Sequence, residues 1–258
     1  MEGEGVIYDL IATSVHERVD LLERTLRSMM PQLDQRPERI IVHEDVRRGL
    51  PFVAGRTEER LEAIERDHGV PIFLLRTNPG NGMARGMVRL LDAASTEFVF
   101  YTQEDFDFVR PIPIARCLEI MTDNALNHVR FNKRKTMRIK GEHREAHEQF
   151  KKIEVTIGGQ VLCISDRWYH QASFWRRELA LAGYRTLVNA AAPERPVERP
   201  EDKFDHWINT TIGGGVGSVD GCQETRLERC RTFIWGGIGE PAFIHHTGSE
   251  RSTQGRAA

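Results

Sequence analysis

Glu97-Phe98-Val99-Phe100-Tyr101-Thr102-Gln103-Glu104-Asp105-Phe106-Asp107 runs from an unbroken apolar stretch into three acids within four positions. A continuous run of aromatic and β-branched residues suits a strand covered on both faces, as in a parallel sheet. Ligands of open α/β sheets sit outside the carboxyl ends of the strands, the end at which Glu104, Asp105 and Asp107 emerge. Three adjacent carboxylates repel one another, so at least one pKa must rise unless a cation intervenes. Oxygen ligands are what Mg²⁺ or Mn²⁺ requires, and the stretch therefore points to metal-assisted chemistry on a phosphate-bearing ligand. A strand closed by a solvated acidic turn is the plain alternative.

Upstream, apolar strands alternate with helical periodicity. Val6 to Ala12 reads as a strand, and Ser14 with Glu17 has capping-box spacing before Leu22, Leu26, Met29 and Met30 recur at helical intervals up to Pro31. Arg39 to His43 is a second strand ending in Glu44-Asp45, and Thr57 is placed to cap a helix that Gly69 stops. Val70 to Leu75 is a third strand and Met83 to Ala94 a third helix. This β-α-β-α-β-α-β order predicts an α/β fold with three layers, a mostly parallel central sheet and helices on both faces. Downstream the pattern is less regular. A strand is expected from Glu154 to Ile164, a helix around Phe174 to Leu181, and a Pro-broken loop from Ala192 to Pro200.

The chain is read as one domain over 1–258, with a nucleotide-binding half (5–110), an irregular acceptor-binding half (111–246) and a polar tail (247–258). Its 258 residues are 40% hydrophobic and 29% charged, ordinary values for a globular protein able to bury a substantial core. No apolar stretch reaches the roughly eighteen residues of a membrane span, and Met1 to Gly5 has no basic or apolar leader pattern. A soluble, cytoplasmic enzyme is expected. Cys117, Cys163, Cys222 and Cys230 show no C-x-x-C spacing and read as reduced thiols. The net charge of −2 hides an uneven distribution: Arg130 to Lys152 holds nine bases and three acids.

The ordered set of Ile11-Ala12-Thr13-Ser14, Ile40 to Asp45, Asn78 to Gly86, Glu104 to Asp107 and Glu201-Asp202 resembles the nucleotide-sugar glycosyltransferases of the GT-A fold, most closely the largely inverting family 2 type. The resemblance covers residues 5 to 110 in order, with weaker echoes to 246. It implies a metal-dependent transfer of a sugar from a nucleoside diphosphate sugar, a UDP-sugar foremost, to an acceptor hydroxyl, with Mn²⁺ or Mg²⁺ as cofactor. It places Thr13, Ser14 and Asp45 at the nucleoside and Arg85, from the Ala84-Arg85 pair, at the diphosphate. It gives Glu104, Asp105 and Asp107 to the family's D-x-D motif, whose register stays open here, because Asp105-Phe106-Asp107 and Glu104-Asp105 both fit. Gln103 stands where many members carry their first aspartate, and Gly86 where they carry asparagine. The Glu201-Asp202 pair matches the family's acidic pair that supplies the general base in inverting members, with Asp202 favoured. Acids in a first helical turn also serve the helix dipole.

Around this core, His246 of His245-His246 is a candidate metal ligand alongside Asp105 and Asp107. His170 and Trp175, in an aromatic stretch, are candidate acceptor contacts, although such density more often marks a core. Lys133 and Arg134 open the basic run, which reads as a solvated face or as a surface for an anionic acceptor such as a glycan or hydroxyl-modified DNA. Two other classes compete. Gly80-x-Gly82-x-x-x-Gly86 after a strand also fits an NAD(P)-dependent oxidoreductase, and the basic run alone fits a non-catalytic nucleic-acid-binding protein.

Overall fold

The apolar strands pair as their composition demands. In the computed structural model, which describes residues 6–46, 52–77, 82–134, 136, 153–165, 168, 170–192, 195–212 and 231–247, β1 (Tyr8–Val15) lies between β2 (Ile40–Asp45) and β4 (Phe98–Gln103), with β3 (Ile72–Thr77) outside β2. All three of these pairings are parallel, with Ala12 opposite both Val42 and Thr102. The helices α1 (Val19–Met29), α2 (Arg56–His68) and α3 (Met83–Ala93) are the crossovers.

Strand β4 shows why its run is continuous. Phe98 and Phe100 face a core layer shared with Leu22 and Leu26 of α1 and Leu61 and Ile64 of α2. Val99 and Tyr101 face the opposite layer, shared with Met87, Leu90 and Leu91 of α3. Both faces are dry, so no polar alternation is tolerated. Gly86 of α3 permits a close approach to the sheet, since a Cβ there would sit 2.6 Å from the His43 imidazole.

After β4 come β5 (Phe106–Phe108), α4 (Ile114–Asp123), β6 (His128–Arg130), the hairpin β7 (Glu154–Ile157) and β8 (Gln160–Ile164), β9 (Ser173–Arg176), α5 (Arg177–Ala190), α6 (Pro200–Trp207), β10 (Thr232–Trp235) and β11 (Ile244–His246). The main sheet has the order β3-β2-β1-β4-β9-β6-β10-β8-β7, so both halves of the sequence contribute strands. Strand β9 is antiparallel to β4 and to β6, and β5 pairs with β11 in a separate two-stranded ribbon.

Four local expectations are corrected. Residues 154–164 form two strands, because Gly158 and Gly159 turn at φ +54° and +77°. Phe174 and Trp175 are strand, not helix: they alternate into the two core layers between β4 and β6, and α5 starts only at Arg177. Ser14 is not a helix cap, since β1 extends through Val15 and the Ser14 hydroxyl bonds the Val15 carbonyl at 3.3 Å. Thr57 lies inside α2 and donates to the buried Glu44 carboxylate instead of a helix N–H. Cys117 is a buried free thiol and Cys163 is buried, while Cys222 and Cys230 lie outside the described residues. Among the described residues no helix is long and apolar enough to cross a membrane.

Candidate active site

The acidic turn is fixed from two sides. Thr25 of α1 donates its hydroxyl to the Glu104 carbonyl at 2.7 Å and accepts from the Phe106 N–H at 3.1 Å. The ribbon sets His246 opposite Phe106, and Thr247 binds the Asp105 carbonyl through its N–H and hydroxyl at 2.9 and 3.1 Å. His246 Nε2 thereby reaches Asp105 Oδ2 at 3.0 Å. Asp105 is only 7% exposed, and its Oδ1 is buried with no hydrogen-bond partner among the described residues. Such an oxygen is costly to bury bare.

Asp107 does not join Asp105, because its Oδ2 is taken by Arg24 on the outer face of α1. Among the described residues no three His, Cys, Asp or Glu side chains converge as a closed cage; of the expected trio, Asp105 and His246 are in contact, and Asp107 pairs with Arg24. Arg18 Nη1 lies 3.1 Å from Glu104 Oε1 and 3.9 Å from Asp105 Oδ2. Burial, with the Asp105 charge adding to it, still pushes the Glu104 carboxyl pKa up. A cation of the Mg²⁺ or Mn²⁺ type fits this donor set, since such ions take one or two protein ligands and fill the remainder from phosphate and water.

Beside the acids, the carboxyl ends of β1 and β2 bring the expected nucleoside residues together. Val15 lies opposite Asp45, and Thr13 Oγ1 meets the Tyr101 hydroxyl at 3.0 Å. Asp45 Oδ1 accepts from Thr77 Oγ1 at 3.4 Å. Ser14 is buried. Next to them stands a network that the sequence reading did not anticipate. The buried Glu44 carboxylate meets Arg76 Nε at 2.6 Å and His16 Nδ1 at 3.1 Å, and His16 Nε2 accepts from the Val53 N–H at 3.0 Å. The Phe52 ring, 40% exposed, lies 4.6 Å from the His16 ring with the Arg76 guanidinium over it at 4.9 Å. Nothing in the spacing of these residues announces the network, which parallel pairing assembles.

Three expected contacts are corrected. Arg85 spends its guanidinium on the backbone, with Nη1 donating to the Arg195 carbonyl at 2.9 Å and Nη2 to that of Ala192 at 3.0 Å. It braces the Pro-broken loop, not a diphosphate. Trp175 is fully buried, its indole N–H donating to Ser173 Oγ at 2.7 Å. His170 is likewise a core side chain, enclosed by Tyr101, Trp175, Tyr184 and Phe204, and burial lowers its pKa to about 3. Neither side chain presents a surface to an acceptor.

The acidic pair is delivered by α6, anchored by its buried Phe204 and started by Pro200. Glu201 Oε1 lies 3.5 Å from Gln103 Nε2 at the end of β4. Although its side chain is 50% exposed, enough protein surrounds it to raise its pKa, with burial the larger cause and Asp202 the next. Asp202 is exposed, one step around the helix. Half-buried Lys133 has its pKa lowered chiefly by burial and by Arg134, while Asp105 and Glu201 act on it in the opposite sense. Arg134 is exposed, and 135 and 137–152 lie outside the described residues.

No protein-family profile and no curated protein sequence matches the chain. Solved structures do. The S. aureus protein TarS, residues 1–349 in complex with UDP, superposes with a TM-score of 0.54 at 12% identity over 93% of this chain and 60% of its own. The mannosyltransferase PcManGT from Pyrobaculum calidifontis, in complex with GDP-Man and Mn²⁺, gives 0.51 at 14% identity over 90% and 57%. The fold is GT-A. At these identities the likeness shows the fold alone, and the chain spans less than two thirds of the length of either neighbour. The glycines of the alternative dinucleotide reading stand elsewhere in the sheet than that fingerprint requires. Gly82 and Gly86 follow β3 at the sheet edge, not the central β1, and Gly86 serves contact with His43.

Proposed function

We propose that the chain transfers a sugar from a nucleoside diphosphate sugar, a UDP-sugar foremost, to an acceptor hydroxyl with inversion, using Mn²⁺ or Mg²⁺. The observation that carries this reading is the buried Asp105 carboxylate, with one bare oxygen and the other against His246, at the carboxyl end of a parallel sheet and across Gln103 from Glu201. The GT-A neighbours solved with UDP, UDP-GlcNAc, or GDP-Man and Mn²⁺ support it.

Asp105 and His246 would hold the cation, which when bound supplies Lewis-acid neutralisation of the charge on the leaving diphosphate. Thr13, Ser14 and Asp45 line the nucleoside end. Arg18 limits the repulsion between Glu104 and Asp105, and Lys133 adds a positive charge on the diphosphate side. The Glu201-Asp202 pair supplies the base, with Glu201 the better placed. Its carboxylate takes the proton of the acceptor hydroxyl as that oxygen attacks the anomeric carbon opposite the diphosphate. A raised pKa brings a carboxylate nearer the basicity this step needs. Lys133 and Arg134 favour an anionic acceptor, a glycan or hydroxyl-modified DNA. The test is a screen of nucleotide sugars for Mn²⁺-dependent release of nucleoside diphosphate, repeated on the best donor with glycan, DNA and peptide acceptors. Release above background from some donor is expected; none from any donor would overturn the reading.

A further inference from the structure

We infer that His170 is a positioning residue for Glu201: a neutral imidazole whose Nδ1–H is aimed at the Glu201 carboxylate and is fixed there by the Tyr184 hydroxyl. This rests on the reading of Glu201 as the base. The argument begins with Tyr184, a fully buried side chain whose phenol burial keeps protonated. Its hydroxyl has one hydrogen-bond partner among the described residues, Nε2 of His170. A buried hydroxyl proton needs an acceptor, so Nε2 accepts. A neutral imidazole that accepts at Nε2 carries its proton at Nδ1.

His170 is 5% exposed inside an aromatic box, which is no place for an imidazolium. Its Nδ1 is buried without a hydrogen-bond partner, and the Glu201 Oε1 atom stands 3.9 Å away. A rotation of the half-exposed Glu201 side chain by about 1 Å closes that gap to hydrogen-bond length, and such contacts are often long before substrate binds. Gln103 from β4 approaches the same carboxylate oxygen. Burial and Asp202 disfavour its charge, and Gln103 and Lys133 favour it. A donated Nδ1–H adds to the favourable side and leaves the second oxygen turned towards the acceptor. Tyr184, His170 and Glu201 thus form a chain running from the core to the reacting proton.

The decisive measurement is long-range ¹H–¹⁵N NMR of the ¹⁵N-labelled chain. A neutral, Nδ1-protonated His170 is expected, with its signals displaced in Glu201→Gln. An Nε2–H tautomer, or an imidazole titrating near its ordinary value, overturns the inference without any activity assay. In turnover, His170→Phe should lower kcat about tenfold at unchanged donor KM. The acid limb of its kcat/KM profile should move to higher pH, because losing a bond to the ionised carboxylate raises that pKa. His170→Asn, which keeps an N–H near the Nδ1 position, should recover most of both. A pH profile of His170→Phe identical to that of the parent overturns the inference. Full turnover in Glu201→Gln would instead sink the base assignment, so the two failures are distinguishable.

Discussion

His246 Nε2 rests 3.0 Å from Asp105 Oδ2 because β11 pairs antiparallel with β5, bringing the end of the described chain to the turn after β4. Asp107, two residues from Asp105, is held by Arg24 instead. His246→Ala should therefore weaken the enhancement of UDP binding by Mn²⁺ by about 10- to 100-fold, the usual range for losing a residue that supports a metal site. Asp107→Asn should leave that enhancement within about threefold. Titration calorimetry on both variants reads the difference.

The base assignment separates two neighbouring acids. Glu201→Gln should reduce kcat by about 10²-fold or more while sparing donor binding, and Asp202→Asn should cost less. The reverse order of severity would return the role to Asp202.

Activity should fall on the acid side at a pH above the ordinary carboxylate range. Glu201 works ionised and its pKa is raised by burial and by Asp202, so protonation as pH falls removes the base earlier than for an exposed glutamate. The kcat/KM profile checks this, and an acid limb at or below the ordinary glutamate value would contradict it.

Gly86→Ala should destabilise the fold by about 1–3 kcal/mol, because its Cβ would lie 2.6 Å from the His43 ring and the α3 contact with the sheet would have to open. Chemical denaturation measures it. An unchanged midpoint would show that His43 moves aside freely.

The parallel half was legible in the sequence because its strands are unbroken apolar runs and its helices strictly periodic: Phe98 to Tyr101 and Leu22, Leu26 and Met29 sit where their pattern places them. What was lost depends on distant pairing. Phe174 and Trp175 adjoin the helical pattern of α5, and their insertion between β4 and β6 makes them strand. Arg85 fits a phosphate contact by motif, but the fold places two carbonyls of the Pro-broken loop in its reach. Arg24 carries no sequence mark as the partner of Asp107. The density of aromatics around His170 signalled a core, and its orientation towards Glu201 follows only from the packing of Tyr184.

The central claim is that Asp105 holds a divalent cation together with a nucleoside diphosphate. Calorimetric titration of UDP, with and without Mn²⁺, into the parent chain and Asp105→Asn tests it most directly. Mn²⁺ should raise UDP affinity at least about tenfold in the parent and leave it nearly unchanged in the variant. Equal UDP affinity with and without Mn²⁺ in the parent, or an equal Mn²⁺ effect in both chains, would contradict it.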